Sequence, residues 1–193
     1  MTARLDRETV IEAALRLLNE VGIDNLTTRK LAEKLEVQQP ALYWHFRNKR
    51  ALLDALAEAM LAKKHKRSRP EKGEDWRVFL RENAQSFRKA LLFYRDGARV
   101  HAGATPPTDE NGAAEIQIQF LCEAGFHPRE AMWALIVISH YVVGAVLEQQ
   151  APKSKPSKRS SEFLKPRLSE YQAGGEDAAF EYGLEAIILG LTR

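Results

Sequence analysis

From Ala131 to Leu147 the chain runs for seventeen residues without a charged side chain, and any fold it adopts must cover that stretch. A run of this length touches the lower edge of a membrane span, roughly 17–25 residues. Ser139, His140 and Gly144 interrupt it, however, and Glu130 and Glu148 bracket it closely. It reads as a helix buried on all sides, in a core or at a subunit interface, rather than as a membrane anchor. His140 within it reads as a core imidazole whose nitrogens find partners.

The remaining apolar periodicity is helical as well. Val10, Ile11, Ala14, Leu17, Leu18 and Val21 follow one helix face, and Gly22 stops it. Thr27 is placed to cap a short second helix with Leu31, Ala32 and Leu35 inward. Pro40 suits the first turn of a third, where Leu42 and Phe46 share the buried face. Asn48 opens a fourth through Leu52, Leu56 and Met60 to His65. Ser68-Arg69-Pro70 breaks the chain before a fifth helix that Trp76, Phe79, Leu80, Ala84, Phe87, Leu91 and Leu92 mark, ending near Tyr94-Arg95-Asp96-Gly97. A shorter piece carries Val100 and His101, and Ala104-Thr105-Pro106-Pro107 reads as a loop. Ala114 to Glu123 is helical, Gly125-Phe126-His127-Pro128 turns, and the uncharged helix follows. Residues 151–161 read as a mobile basic loop. A short helix around Phe163–Tyr171 is broken by Gly174-Gly175, and Ala178 to Leu191 forms the last amphipathic helix. No segment alternates with period two for long, so the expected fold is all-α.

Composition narrows the function. The 193 residues are enough for one domain or two small ones sharing a core, and 45% apolar with 28% charged is globular. A single cysteine excludes a disulfide framework and C-x-x-C metal or redox motifs. Arg4, Asp6 and Arg7 leave no room for an apolar signal region after Met1, so the expected place is the cytoplasm. Residues 1–70 carry 14 Lys+Arg against 9 Asp+Glu, and the remainder 15 against 17. A basic front on a nearly neutral body suggests a head for a polyanion and a body with another task.

The head has the spacing of a helix-turn-helix, with Glu36-Val37-Gln38 between its second and third helices. In that geometry the third helix enters the major groove and its first residues reach base edges. Those are Gln38, Gln39, Pro40 and Ala41, followed by Tyr43, Trp44 and His45. Glutamine pairs bidentately with adenine, while Ala and Pro touch thymine methyls. Tyr43, His45 and Lys49 are suited to phosphates, and Arg29 to guanine. Trp44 is expected half buried against the first helix.

The run Leu26-Thr27-Thr28-Arg29-Lys30-Leu31-Ala32, followed by Gln39-Pro40-Ala41-Leu42-Tyr43-Trp44-His45-Phe46-Arg47-Asn48-Lys49, resembles the DNA-binding domain of tetracycline-repressor family regulators. Ser86-Phe87-Arg88, Tyr94-Arg95-Asp96-Gly97-Ala98-Arg99-Val100-His101 and Gly144-Ala145-Val146-Leu147-Glu148-Gln149-Gln150 carry the resemblance through the body. It implies a DNA-binding head over residues 1–48, a linking helix over 49–67, and a ligand-binding and dimerisation body over 68–193. The last long helices would form a four-helix bundle in a homodimer that reads a palindromic operator on double-stranded DNA. The DNA contacts it implies are Thr28, Arg29, Gln39, Pro40, Tyr43, Trp44, His45 and Lys49. Three positions depart from the pattern: Glu36 stands where the family's tetracycline repressors usually have Gly, Gln38 where they have Glu, and Ala41 where they have Thr.

For the body the resemblance implies release of DNA by a tetracycline–Mg2+ complex. His65, Asn83, Phe87 and Gln117 would contact the drug. His101 would bind Mg2+ directly, and Glu148 would hold a metal-bound water. On spacing alone His101 is a single imidazole before a Gly-Ala-Thr-Pro loop, Phe87 is equally well plain core, and Asn83 a solvated helix face. Ile118 and Ile138 would keep the pocket apolar. Ala104 and Thr105 replace the family's Thr and Arg, which leaves a repressor with an altered pocket and another small-molecule inducer as the alternative. An enzyme is not expected, since the chain has no G-x-x-x-x-G-K-[ST], G-x-S-x-G or H-E-x-x-H motif.

Overall fold

The computed structural model describes residues 5–104, 112–152, 162 and 164–192. Nine helices account for nearly all of the regular structure, and no strand occurs among the described residues. The 105–107 part of the loop after His101 and the 153–161 part of the basic segment lie outside them.

Helices α1 (Arg7–Val21), α2 (Thr28–Lys34) and α3 (Pro40–Tyr43) form the head, and α4 (Lys49–Lys64) follows. Each starts where the local chemistry allows. Asp6 accepts from the Thr9 amide at 2.7 Å, Thr27 from Lys30 at 3.2 Å, and Asn48 from Ala51 at 2.8 Å. Such caps satisfy amides that have no partner inside the helix, each worth about 1 kcal/mol. At the end of α2 the chain turns through Glu36, whose φ of 56° lies in the left-handed region. There Glu36 N–H donates to the Glu33 carbonyl and Val37 N–H to the Ala32 carbonyl. Gly125 closes α7 with the same pair of bonds at φ 104°. Glycine enters that region freely, whereas a side chain costs about 1–2 kcal/mol.

The body contains α5 (Trp76–Leu92), α6 (Gly97–Gly103), α7 (Ala113–Glu123), α8 (Pro128–Gln150) and α9 (Leu164–Gly190). Gly175, at φ 71° and ψ −179°, breaks α9 where the Gly-Gly pair predicts a stop. One continuous core joins head and body: Leu18, Leu31, Leu56, Met60, Phe79, Leu121, Val142 and Leu184 are all fully buried. Helix α4 packs on α1 on one side and on α5 and α6 on the other, so the head is not an independent unit.

Within one chain helix α8 is buried along one side only, so the expected core burial covers that side and the expected interface bears on the other. Ala131, Ala134, Ile138, Val142 and Val146 are buried, at steps of three and four. Met132, Trp133, Ile136 and Val137 are exposed, and so is His140. His140 is therefore not a core imidazole. Helix α8 has the length and mean hydropathy (1.7) of a membrane span, yet one face of it is committed to the body's core. On α9, Phe180, Leu184 and Ile188 face inward, while Tyr182 and Leu189 are 82% and 76% exposed. The two helices are pinned together by Tyr141, which stacks on Phe180 and donates to the Phe180 carbonyl at 2.8 Å. Gly183 lies against that tyrosine, and a Cβ there would collide with its hydroxyl.

Candidate DNA-reading face and ligand cavity

The outer face of the head gathers the polar residues of α2 and α3. Gln39 Nε2 donates to Thr28 Oγ1 at 2.9 Å and approaches the Tyr43 hydroxyl at 3.4 Å, so three expected contacts meet on one surface. Arg29 is exposed, and its Nε donates to Glu33 one turn along at 3.0 Å. That surface ion pair is weak and is readily exchanged for a stronger partner. Pro40 and Lys49 are exposed and His45 is half-buried. Trp44 is 89% exposed, in contrast to the half-burial expected of it. Leu42 and Phe46 fill the inner face, and the turn of α3 leaves the Trp44 ring outside.

About one helix length away, α4, α5, α6, α7 and α8 line an open cavity of about 300 Å³. His65, Asn83, Phe87, His101 and Gln117 all line it. Phe87 sits between the two histidines, with ring centroids 5.7 Å from His65 and 5.0 Å from His101. Burial pushes the His65 imidazole down to about 4 and lowers His101 as well, so both rings are neutral near pH 7. A wider cavity of about 900 Å³ adjoins it, sharing Leu61, His101, Ser139 and His140. Ile138 lines the smaller cavity as expected, whereas Ile118 packs against the core.

Asn83 is not the solvated side chain that helix spacing allows. Its Nδ2 donates to the Arg67 carbonyl at 2.8 Å, and Gln117 Nε2 donates to the Ser68 carbonyl at 2.6 Å. The 65–75 segment thus straps the cavity. Its own anchor is Arg67, whose guanidinium bonds Glu82 at 2.8 Å, Glu71 at 3.1 Å, and Glu74. The sequence marks Ser139 and His140 only as interruptions of an apolar run, with His140 expected in the core, and it gives no sign of the strap; Ser139 is half-buried and His140 exposed, and both line the cavity.

Glu148 is not brought to His101 within one chain. It lies on the other side of α8 with Arg88, Tyr141 and Phe180, in a separate cavity of about 300 Å³. No cluster of three or more His, Cys, Asp or Glu side chains suited to a metal occurs among the described residues. One neutral imidazole is too few donors for bare Mg2+, which prefers six oxygens. It does fit a magnesium ion that arrives already chelated, with ligand oxygens and water supplying the other positions.

Two elements tie this cavity to the head. Helix α4 starts beside Lys49 on the DNA face and ends at His65, a span of about 24 Å. Helix α6 ends near His101 and starts at Asp96, whose Oδ2 accepts from the Ile23 amide at 2.9 Å. Beside it, Arg99 holds Asp24 through two bonds of 2.8 and 2.9 Å, and Arg95 reaches Asn19 and the Glu20 carbonyl.

Comparison with known proteins identifies this arrangement. Residues 10–56 match the family described as bacterial regulatory proteins, tetR family, and residues 69–193 match the tetracyclin repressor-like, C-terminal domain. The chain is 60% identical to the class G tetracycline repressor protein of Vibrio anguillarum, covering 98% of this chain and 95% of that one. It is 57% identical to the class A protein from transposon 1721 in Escherichia coli, covering 98% and 92%. Among solved structures it resembles a TetR variant from Acinetobacter baumannii AYE in complex with minocycline, at TM-score 0.90 and 63% identity over 97% and 93% of the two chains. It also resembles TetR (class A) in complex with 5a,6-anhydrotetracycline and magnesium, at TM-score 0.78 and 56% identity over 97% and 98%. The chain is a transcriptional regulator and belongs to the TetR family, among the tetracycline repressors.

Proposed function

We propose that this protein is a repressor that binds a palindromic operator as a homodimer and releases it on binding a tetracycline–Mg2+ complex. The observation that carries this reading is the single cavity lined by His65, Asn83, Phe87, His101 and Gln117 at the far end of the helix that begins on the DNA face. Residues 1–48 form the DNA-binding head, 49–67 the link, and 68–193 the ligand-binding and dimerising body. Thr28, Arg29, Gln39, Pro40, Tyr43, Trp44, His45 and Lys49 contact the duplex. The protein acts in the cytoplasm, where its DNA is.

In the body, Phe87 and Ile138 supply apolar contact, while Asn83, Gln117 and His65 offer hydrogen bonds to a polycyclic ligand. His101 holds the magnesium that the ligand carries, which supplies charge to orient the ligand's oxygens. The neutral state of His101 leaves its lone pair free for that role. Glu148 faces away from its own chain's cavity, so a carboxylate acting on a metal-bound water has to come from the second copy. Dimerisation uses the exposed apolar side of α8, from Met132 through Val137, together with α9. A ligand that moves the ends of α4 and α6 changes the separation of the two heads, and a palindrome tolerates only one separation.

The test is a fluorescence titration with tetracycline in Mg2+ and then in EDTA, with operator release followed in parallel. Tight binding that EDTA abolishes, together with loss of the DNA complex, is expected. Binding that ignores EDTA would overturn the metal role. No binding at all would favour the second reading, a different inducer, which Ala104 supports because it brings a methyl rather than a hydroxyl to the wider cavity.

A further inference from the structure

Ser86 is a small polar residue, 9% exposed, on the α5 face that also carries Phe79, Asn83 and Phe87. Its hydroxyl has two neighbours. The Arg67 amide donates to Oγ at 3.1 Å, and His65 Nδ1 lies 3.0 Å from the same oxygen. The amide can only donate, so it occupies an acceptor site of the hydroxyl. The hydroxyl proton then has one partner available, the Nδ1 lone pair. We infer that Ser86, braced by the Arg67 strap, is a positioning residue that fixes His65 with its proton on Nε2, pointing a donor into the ligand cavity.

The opposite tautomer fits less well. With the proton on Nδ1, the Ser86 oxygen would receive two donors and its own proton would be buried without an acceptor. An unsatisfied buried hydroxyl is more costly than a cavity-facing N–H, which water or ligand can satisfy. The only gain would be a bond from Asn83 Nδ2 to Nε2, which is 3.4 Å long, whereas that amide already makes a 2.8 Å bond to the Arg67 carbonyl. Placing the proton on Nε2 also decides what the site selects. The ligand must present an acceptor oxygen, such as a carbonyl or enolate, to His65, and a donor group in that place would face another donor. This deepens the reading of the cavity as the inducer site and rests on it for the ligand, although the tautomer itself does not.

The experiment is a long-range proton–nitrogen NMR spectrum of the 15N-labelled full chain near pH 7, with His65 assigned from a His65→Gln variant. The wild type is expected to show a single His65 tautomer protonated at Nε2. Ser86→Ala should give a mixture of tautomers and bind tetracycline–Mg2+ about tenfold more weakly. Ser86→Thr, which keeps the hydroxyl, should retain the wild-type pattern. A wild-type His65 protonated at Nδ1 would overturn the inference, even if no variant folds. So would a Ser86→Ala spectrum and affinity unchanged from wild type. A chain that binds no tetracycline would remove the ligand reading, while the nitrogen spectra would still decide the role of Ser86.

Discussion

The DNA face and the ligand cavity present functional side chains in opposite ways. On the head they stand in solvent: Trp44 is almost wholly bare, and Arg29 is held only by one exposed glutamate. In the cavity three of the polar side chains are braced. Asn83 and Gln117 are fixed by backbone carbonyls of the strap, and His65 by Ser86. The contrast follows from what each surface meets. A long charged duplex attracts loosely held side chains from a distance and orders them on contact. A small neutral-to-anionic ligand offers few contacts, so its site must be ordered beforehand. Changes on the head should therefore weaken function without weakening the fold, whereas changes around the cavity should disturb both.

The sharpest challenge to this division is Leu56→Ala, at a fully buried position of the helix between the two regions. It should cost about 2–5 kcal/mol in urea unfolding. Circular dichroism and fluorescence should still report one transition, because head and body share a core; a head that melts separately would break the picture. Next comes His101→Ala, expected to weaken tetracycline–Mg2+ binding by at least about a hundredfold while operator affinity stays near wild type. Parallel loss of DNA binding would mean that the ligand site also shapes the head at rest. Gln39→Ala should cost about 1–3 kcal/mol of operator binding, read by gel shift against single-base operator variants. Its thermal midpoint should not move, and a clear drop would show the DNA face to be structural.

Acidity separates the regions further. His65 has its folded pKa pushed below the unfolded value of 6.5, to about 4. Its contribution to stability is therefore complete above about pH 6.5 and lost as the pH falls toward 4, where the unfolded chain binds the extra proton. His65→Gln should flatten the stability profile between those values, as measured by urea titrations at several pH values. The smallest expected effect is at Glu36. Replacing it with glycine should raise stability by up to about 1 kcal/mol by relieving the left-handed backbone. A loss there would mean that the glutamate makes a contact that matters more than its strain.

The helices were legible because each rests on local chemistry: Thr27 and Asn48 accept from amides of the first turn as expected, and Asp6 and Asp75, which the sequence analysis does not single out, do the same. Less legible was the direction of side chains at the rim of a helix. The sequence suggests half-burial for Trp44 and a core place for His140 because apolar neighbours flank them, but Trp44 follows the short α3 and His140 lies on the open side of α8. Glu148 was matched by position and not by face. Each residue along α8 turns the side chain by about 100°, and Glu148 enters the cavity that α5 and α9 line with it, which no local pattern shows. Ser86 was passed over although Asn83, Ser86 and Phe87 follow the three-and-four spacing of a single helix face. Its role needs the chain at 65–67 folded back over that face, which no local pattern reveals.

The bare apolar side of α8 also has a genetic consequence. Chains that pair, as proposed, through Met132, Trp133, Ile136 and Val137 do so without regard to whether their partner's head can read DNA. In a cell making two alleles, a protein with an intact body and a ruined head would enter most pairs. One good head cannot hold a two-fold operator, so a minority of faulty chains would silence more regulators than their own number. The same surface makes the regulator's activity depend on the square of its concentration when copies are scarce, giving it a threshold that a single-chain reader would lack.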